Sequence, residues 1–173
     1  MAMLSYDSLV EDIKKEFPRF RVVPKEDSKL MKLLYLAMLM PLWNREFMEY
    51  YVTTFLGTVY MPDRLIGTTV GALVLRHELV HLRDAKRFPV LFELSYLFFP
   101  LPMFVTMRAY WEYRAFCETL KALGEYKGCV TQETLNSYIS AFCCSNYLWM
   151  FPARKYLRAK FMGYLKENNI AVC

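Results

Sequence analysis

Both histidines of this 173-residue chain fall in one stretch, LRHELVHLRD (residues 75–84), at positions 77 and 81 on either side of Glu78. On an α-helix, residues four apart share a face, so His77 and His81 can aim their imidazoles at one point about 2 Å away, as a zinc ion requires. Glu78 then stands beside the first ligand, where it can take a proton from a water on the metal. Zinc brings the pKa of such a water down to roughly 7. The carboxylate can afterwards carry that proton to a leaving amine, and the chemistry this implies is hydrolysis of a peptide bond.

A catalytic zinc takes three protein ligands and keeps one position open. No third histidine exists, so the remaining ligand is a carboxylate or a thiolate. Asp84 shares the histidines' face, but three successive turns of one straight helix spread their ligands too far along the axis to converge. Asp84 is expected to support the site or to pair with an arginine. Further on, RAYWEYRAFCET (residues 108–119) offers Glu112 and Glu118, six apart and on opposing sides of a helix. Glu112 shares a side with Ala109 and Phe116, whereas Glu118 falls with Lys121 and Glu125. Glu112 is the favoured ligand and Glu118 the alternative. Cys117 ranks behind both, because a buried thiol usually serves as a small apolar residue.

The pattern His77-Glu78-x-x-His81 followed by a glutamate on a downstream helix resembles the zincin metallopeptidases in their gluzincin arrangement. The resemblance covers about residues 50 to 120. It implies zinc held by His77, His81 and Glu112, with Glu78 as general base. It also implies an edge strand ahead of the active-site helix, where TTFLGTVYMPDRL (residues 53–65) stands. Best-known gluzincins carry an acidic residue four positions after the third ligand. Here that position is Phe116, leaving Asp84 or Glu118 to orient a histidine. Nor is there a downstream histidine to stabilise an oxyanion, so that role falls to Tyr110, Tyr113, Arg108 or Arg114. The small size and the apolar insertion at 88–107 are similar to small bacterial and phage zincin-like domains. Without turnover, the same scaffold would be a binding protein. It would dock on a larger assembly or a membrane through 88–107, the C-terminal helix and the aromatics Trp43, Tyr50, Tyr51 and Trp149.

The elements that must position these residues follow from periodicity and breakers. Leu9, Ile13 and Phe17 step along one face of a helix over 5–17, with Ser5 as cap. Residues 18–25 read as a strand, and 27–40 as a helix capped by Asp27 or Ser28 and stopped at Pro41. Residues 50–65 read as one or two strands interrupted at Gly57. A helix capped by Thr68 or Thr69 carries the pentad to a stop at Pro89. The apolar 88–107 reads as buried helix and packed loop, with the alternative of a surface that meets a membrane. Helices follow over 108–123 (ending at Gly124), 131–142 and 152–167. The sum is α+β, mostly helical, in a single domain spanning 1–173.

Composition narrows the partners. Hydrophobic residues make up 55%, with 13 Tyr, 13 Phe and 11 Met, so a packed core is expected and disorder is not. The net charge of +5 is scattered without a basic run, which argues against nucleic acid and favours an anionic membrane surface over it; a peptide or protein substrate is what the zincin resemblance implies. No secretory signal is visible, and the apolar stretches are too short or too interrupted for a transmembrane helix. Five cysteines without a C-x-x-C pair fit reduced thiols in the cytoplasm, with association at a membrane surface as the variant.

Overall fold

The computed structural model describes residues 5–42, 47–97, 102–143 and 151–173, apart from the side chains of 37–42, 97 and 102–106. Trp43, Trp149 and Cys144 lie outside the described residues. The fold is α+β and mostly helical, with small sheets. The chain forms two compact units, Leu4–Glu78 and Leu79–Cys173, with the boundary inside a helix.

The first unit opens with α1 (Tyr6–Glu16), whose first turn is capped by the Ser5 hydroxyl accepting from the Ser8 amide. Strand β1 (Arg21–Pro24) leads through a 3-10 turn to α2 (Lys29–Leu42). The Ser28 hydroxyl caps α2 at the Met31 amide, and the helix runs on through Pro41, which stands in its last turn. After the single-turn helix α3 (Phe47–Tyr50) come β2 (Thr53–Phe55) and β3 (Thr58–Met61). Leu56 and Gly57, both at positive φ (47° and 77°), make the two-residue turn between these strands. That conformation matches the twist of a tight hairpin. The sheet is mixed, in the order β1-β3-β2: β3 pairs parallel with β1 (Val22 against Val59) and antiparallel with β2 (Thr54 against Val59). Buried Val59 and Met61 make β3 the covered central strand, beside core residues Ile13, Phe20 and Met31. β2 is an edge.

Helix α4 (Thr69–Arg87) starts in this unit and crosses the boundary. The Thr68 hydroxyl accepts from the Gly71 amide and caps its first turn. Gly71 is required there, since a Cβ would stand 1.9 Å from the Leu65 carbonyl oxygen.

In the second unit the described residues of the apolar 88–107 stretch are mainly helical. Pro89 ends α4 and also opens α5 (Pro89–Leu97), and Pro102 opens α6 (Pro102–Lys127). Proline suits a first helical position, where its missing N–H would find no partner in any case. Helix α6 therefore begins earlier than the expected 108 and does not stop at Gly124. At Gly124 a Cβ would lie 2.6 Å from Ile170 Cγ2, so the glycine serves close packing of the C-terminal segment. The stop is Gly128, at φ 83°, the left-handed residue that commonly follows a helix. Helices α7 (Gln132–Cys143) and α8 (Arg154–Glu167) pack on each other, and α8 also packs on α6. Their core holds Leu120, Leu135, Ile139, Phe142, Phe161 and Leu165.

A two-stranded parallel pair, β4 (Cys129–Val130) with β5 (Ala171–Val172), went unpredicted. Beside it Cys129 and Cys173 form a disulfide. This corrects the expectation of reduced thiols throughout, and cysteine usage no longer points to a reducing compartment. Among the described residues no helix is long and apolar enough to cross a membrane.

Candidate metal centre

The inward face of α4 changes character along its length. Ala72 and Leu75 are apolar and fully buried, but the following inward positions hold Glu78 (5% exposed), His81 (5%) and Asp84 (1%) beside Leu82. Burying ionisable groups in this way is costly unless each finds a partner or a ligand. The partners come from different elements.

Glu112 lies on α6, 5% exposed, between Trp111 and half-buried Tyr113. Its Oε2 is 3.8 Å from His81 Nε2. His77, half-buried one turn before His81 on the same helix, completes the group: one ligand atom from each of His77, His81 and Glu112 lies within 4.8 Å of the others. Ligands about 2.1 Å from a tetrahedral ion stand about 3.4 Å apart, a spacing this cluster would reach with modest side-chain adjustment. Two imidazoles and a carboxylate are also a donor set that suits a divalent transition metal. The cluster could therefore hold a metal ion.

The other oxygen of Glu112 is held from α5, where the Tyr96 hydroxyl donates to Oε1 at 2.9 Å. The rings of Phe92 and Tyr96 lie 5.7 and 6.0 Å from the His81 ring, Tyr96 edge-on. His81 thus has aromatic neighbours on its α5 side. In the first unit, Glu78 is gripped from the edge strand: Thr54 Oγ1 donates to Glu78 Oε2 at 2.6 Å.

The remaining candidates are placed as follows. Asp84 pairs with Arg114 rather than joining the cluster. Burial pushes the Asp84 carboxyl above its ordinary range, and Arg114 pulls it back. Glu118 is half-buried and outside the group. Cys117 is buried with its thiol pushed up to about 12 by desolvation, as befits a core residue. Phe116, where a gluzincin would have an acidic residue, packs against Tyr138 and Phe142. Of the oxyanion candidates, Tyr110 is 55% exposed beside Trp111, and the Tyr113 hydroxyl donates to the Lys160 carbonyl on α8. Arg108 stands over the Tyr96 ring, 5.4 Å from its centroid, next to the group that holds Glu112.

Two polar residues at the site, Thr54 and Tyr96, escaped sequence reasoning. Thr54 lay in a segment read only as strand. Tyr96 lay in a stretch read only as apolar, although Phe92 and Tyr96 are a helical step apart and could have marked an inward face.

No family model, curated protein or solved structure matches this chain.

Proposed function

We propose that this protein is a zinc-dependent metallopeptidase on a zincin-like scaffold, with His77, His81 and Glu112 as metal ligands and Glu78 as general base. The observation that carries the reading is Glu78 itself. A buried carboxylate directly follows the first histidine of a His-His-Glu cluster and is held on one oxygen by a hydroxyl from an edge strand.

A divalent ion in the cluster would supply Lewis acidity to a water and to the scissile carbonyl. The protein's own groups divide the remaining work. Thr54 occupies Oε2 of Glu78, which leaves Oε1 to accept the proton of the attacking water and later to release it to the departing amine. Tyr96 occupies Oε1 of Glu112, which leaves Oε2 on the side of His81. The outer edge of β2 offers backbone N–H and C=O groups to an extended peptide, a mode that gives affinity without demanding one sequence.

The test is Glu78→Gln. Glutamine keeps the shape and accepts the Thr54 hydrogen bond but cannot serve as base at neutral pH. The variant is expected to retain its metal and to lose peptide cleavage by on the order of 10²–10⁴-fold, the usual worth of general acid–base catalysis. Wild-type protein that binds metal yet cleaves nothing in a broad peptide library would contradict the catalytic reading and leave a metal-holding binding protein.

A further inference from the structure

Lysine is seldom fully buried, because its ammonium loses water that few interiors replace. Lys25 is an exception, with 0% exposure at the start of the 3-10 turn after β1. Its Nζ donates to the Phe47 carbonyl at 2.7 Å, the Tyr51 carbonyl at 3.0 Å and Thr53 Oγ1 at 3.2 Å. An ammonium has three N–H bonds, and here each has an acceptor. The same Nζ stands 3.5 Å from the centroid of the Phe47 ring. Burial pushes this lysine down to about 7 against the pull of Glu78 and, more weakly, Glu26, so the ammonium with its three donors is the form that prevails below that pH.

All three acceptors belong to residues 47–53, the stretch that runs from α3 into the first residue of β2. The next residue is Thr54, whose hydroxyl holds Glu78. A simpler reading is that Lys25 only ties down a connection between elements. An apolar side chain could fill the same volume but would leave these acceptors without a donor, so mere filling does not account for an ammonium here. What lysine adds is a fixed point for two backbone carbonyls and one hydroxyl immediately ahead of Thr54.

We infer that Lys25 is a positioning residue for Glu78: by locking residues 47–53 it sets where β2 begins and so aims the Thr54 hydroxyl at Glu78 Oε2. The inference rests on Glu78 acting as the proton-transferring group. Lys25 is not among the metal-ligand candidates; besides the direct pull between its charge and Glu78, it acts through Thr54 and the strand, and Thr53→Val, which leaves the charge in place, isolates the second route.

The test uses the full-length protein with Lys25→Met, Thr53→Val, Thr54→Val and Thr54→Ser. Metal content, kcat and KM are measured for each. So is the side-chain carboxyl resonance of Glu78 in ¹³C-glutamate-labelled protein, assigned by its absence in Glu78→Gln. Lys25→Met is expected to keep its metal and a KM within about threefold of wild type, since neither ligands nor uniform substrate binding change. Its kcat should fall on the order of a hundredfold, the effect of misplacing a reacting group by an ångström. The Glu78 resonance should move in Lys25→Met as it does in Thr54→Val, while Thr54→Ser restores both resonance and kcat. Lys25→Met leaves two buried carbonyls without a donor. If it does not fold, Thr53→Val decides, with a smaller fall in kcat in the same direction. Folded variants at position 25 or 53 with wild-type kcat and an unmoved Glu78 resonance overturn the inference. If wild type cleaves no peptide but the resonance still moves in both variants, Lys25 does position Glu78 and the peptidase reading alone fails.

Discussion

Tyr96→Phe removes one oxygen atom and leaves the packing around His81 in place, so its effect can be worked out from a single contact. The Tyr96 hydroxyl donates to Oε1 of Glu112 at 2.9 Å, and Glu112 is buried. A hydrogen bond to a buried charged group contributes about 1.5–3 kcal/mol, which corresponds to about 10- to 150-fold in an equilibrium constant. The same bond also steadies Glu112 in the metal-free protein, so metal affinity registers only the part that matters more when the carboxylate is a ligand. Loss of a group that orients a metal ligand ordinarily weakens the metal about 10- to 100-fold, and that is the range expected here. The assay is competition for zinc against a chromophoric chelator, with wild type and Tyr96→Phe measured side by side. The ring contacts of Tyr96 with His81 and Phe92 survive in phenylalanine, so a loss of affinity is attributable to the hydroxyl. An affinity within about twofold of wild type, in a variant that binds one zinc, would contradict a role for this hydroxyl in metal binding. The Tyr96 hydroxyl would then hold Glu112 equally with and without metal, and would not tune it as a ligand.

Two further predictions concern the second unit. Arg114→Met strips Asp84 of its partner, and the cost is expected to be about 1–3 kcal/mol at neutral pH, since Asp84 is buried while Arg114 is partly exposed to solvent. The sign with pH follows from burial, which already holds the Asp84 pKa above its unfolded value. Removing Arg114 raises it further, so the penalty is small below the unfolded carboxyl pKa and grows as pH rises through the folded one. Urea melts of both proteins at acid and neutral pH check this, and a pH-independent penalty would contradict it. Reduction of the Cys129–Cys173 disulfide opens a loop closed across 44 residues. It should cost about 2–4 kcal/mol of stability and leave metal content unchanged. Denaturant melts with and without reductant, paired with metal analysis, test both halves of that statement.

Much of the frame was legible in the sequence because it is local. The step from Leu9 to Ile13, the caps at Ser5, Ser28 and Thr68, and the turn at Gly57 each depend on residues a few positions apart. Favouring Glu112 over Glu118 was a matter of helical phase, and Glu112 stands beside His81 in the structure. What could not be read depends on partners distant in the chain. Thr54 meets Glu78 and Tyr96 meets Glu112 across tertiary contacts that no periodicity records. Gly124 looked like a stop until Ile170 supplied the reason for it inside a helix. The β4–β5 pair is only two residues long per strand, too short for an alternating pattern, and so the disulfide beside it was hidden as well. Prolines in 88–107 read as breaks, although two of them begin helices.

The proposed function depends first on whether His77, His81 and Glu112 hold a metal ion. The most direct measurement is native mass spectrometry of the purified protein, after zinc has been offered and excess removed, alongside His81→Ala and Glu112→Ala. One zinc per chain is expected in the wild type and none retained in either variant. A folded wild type that holds no zinc, or variants that hold it as well as wild type does, would contradict the proposal.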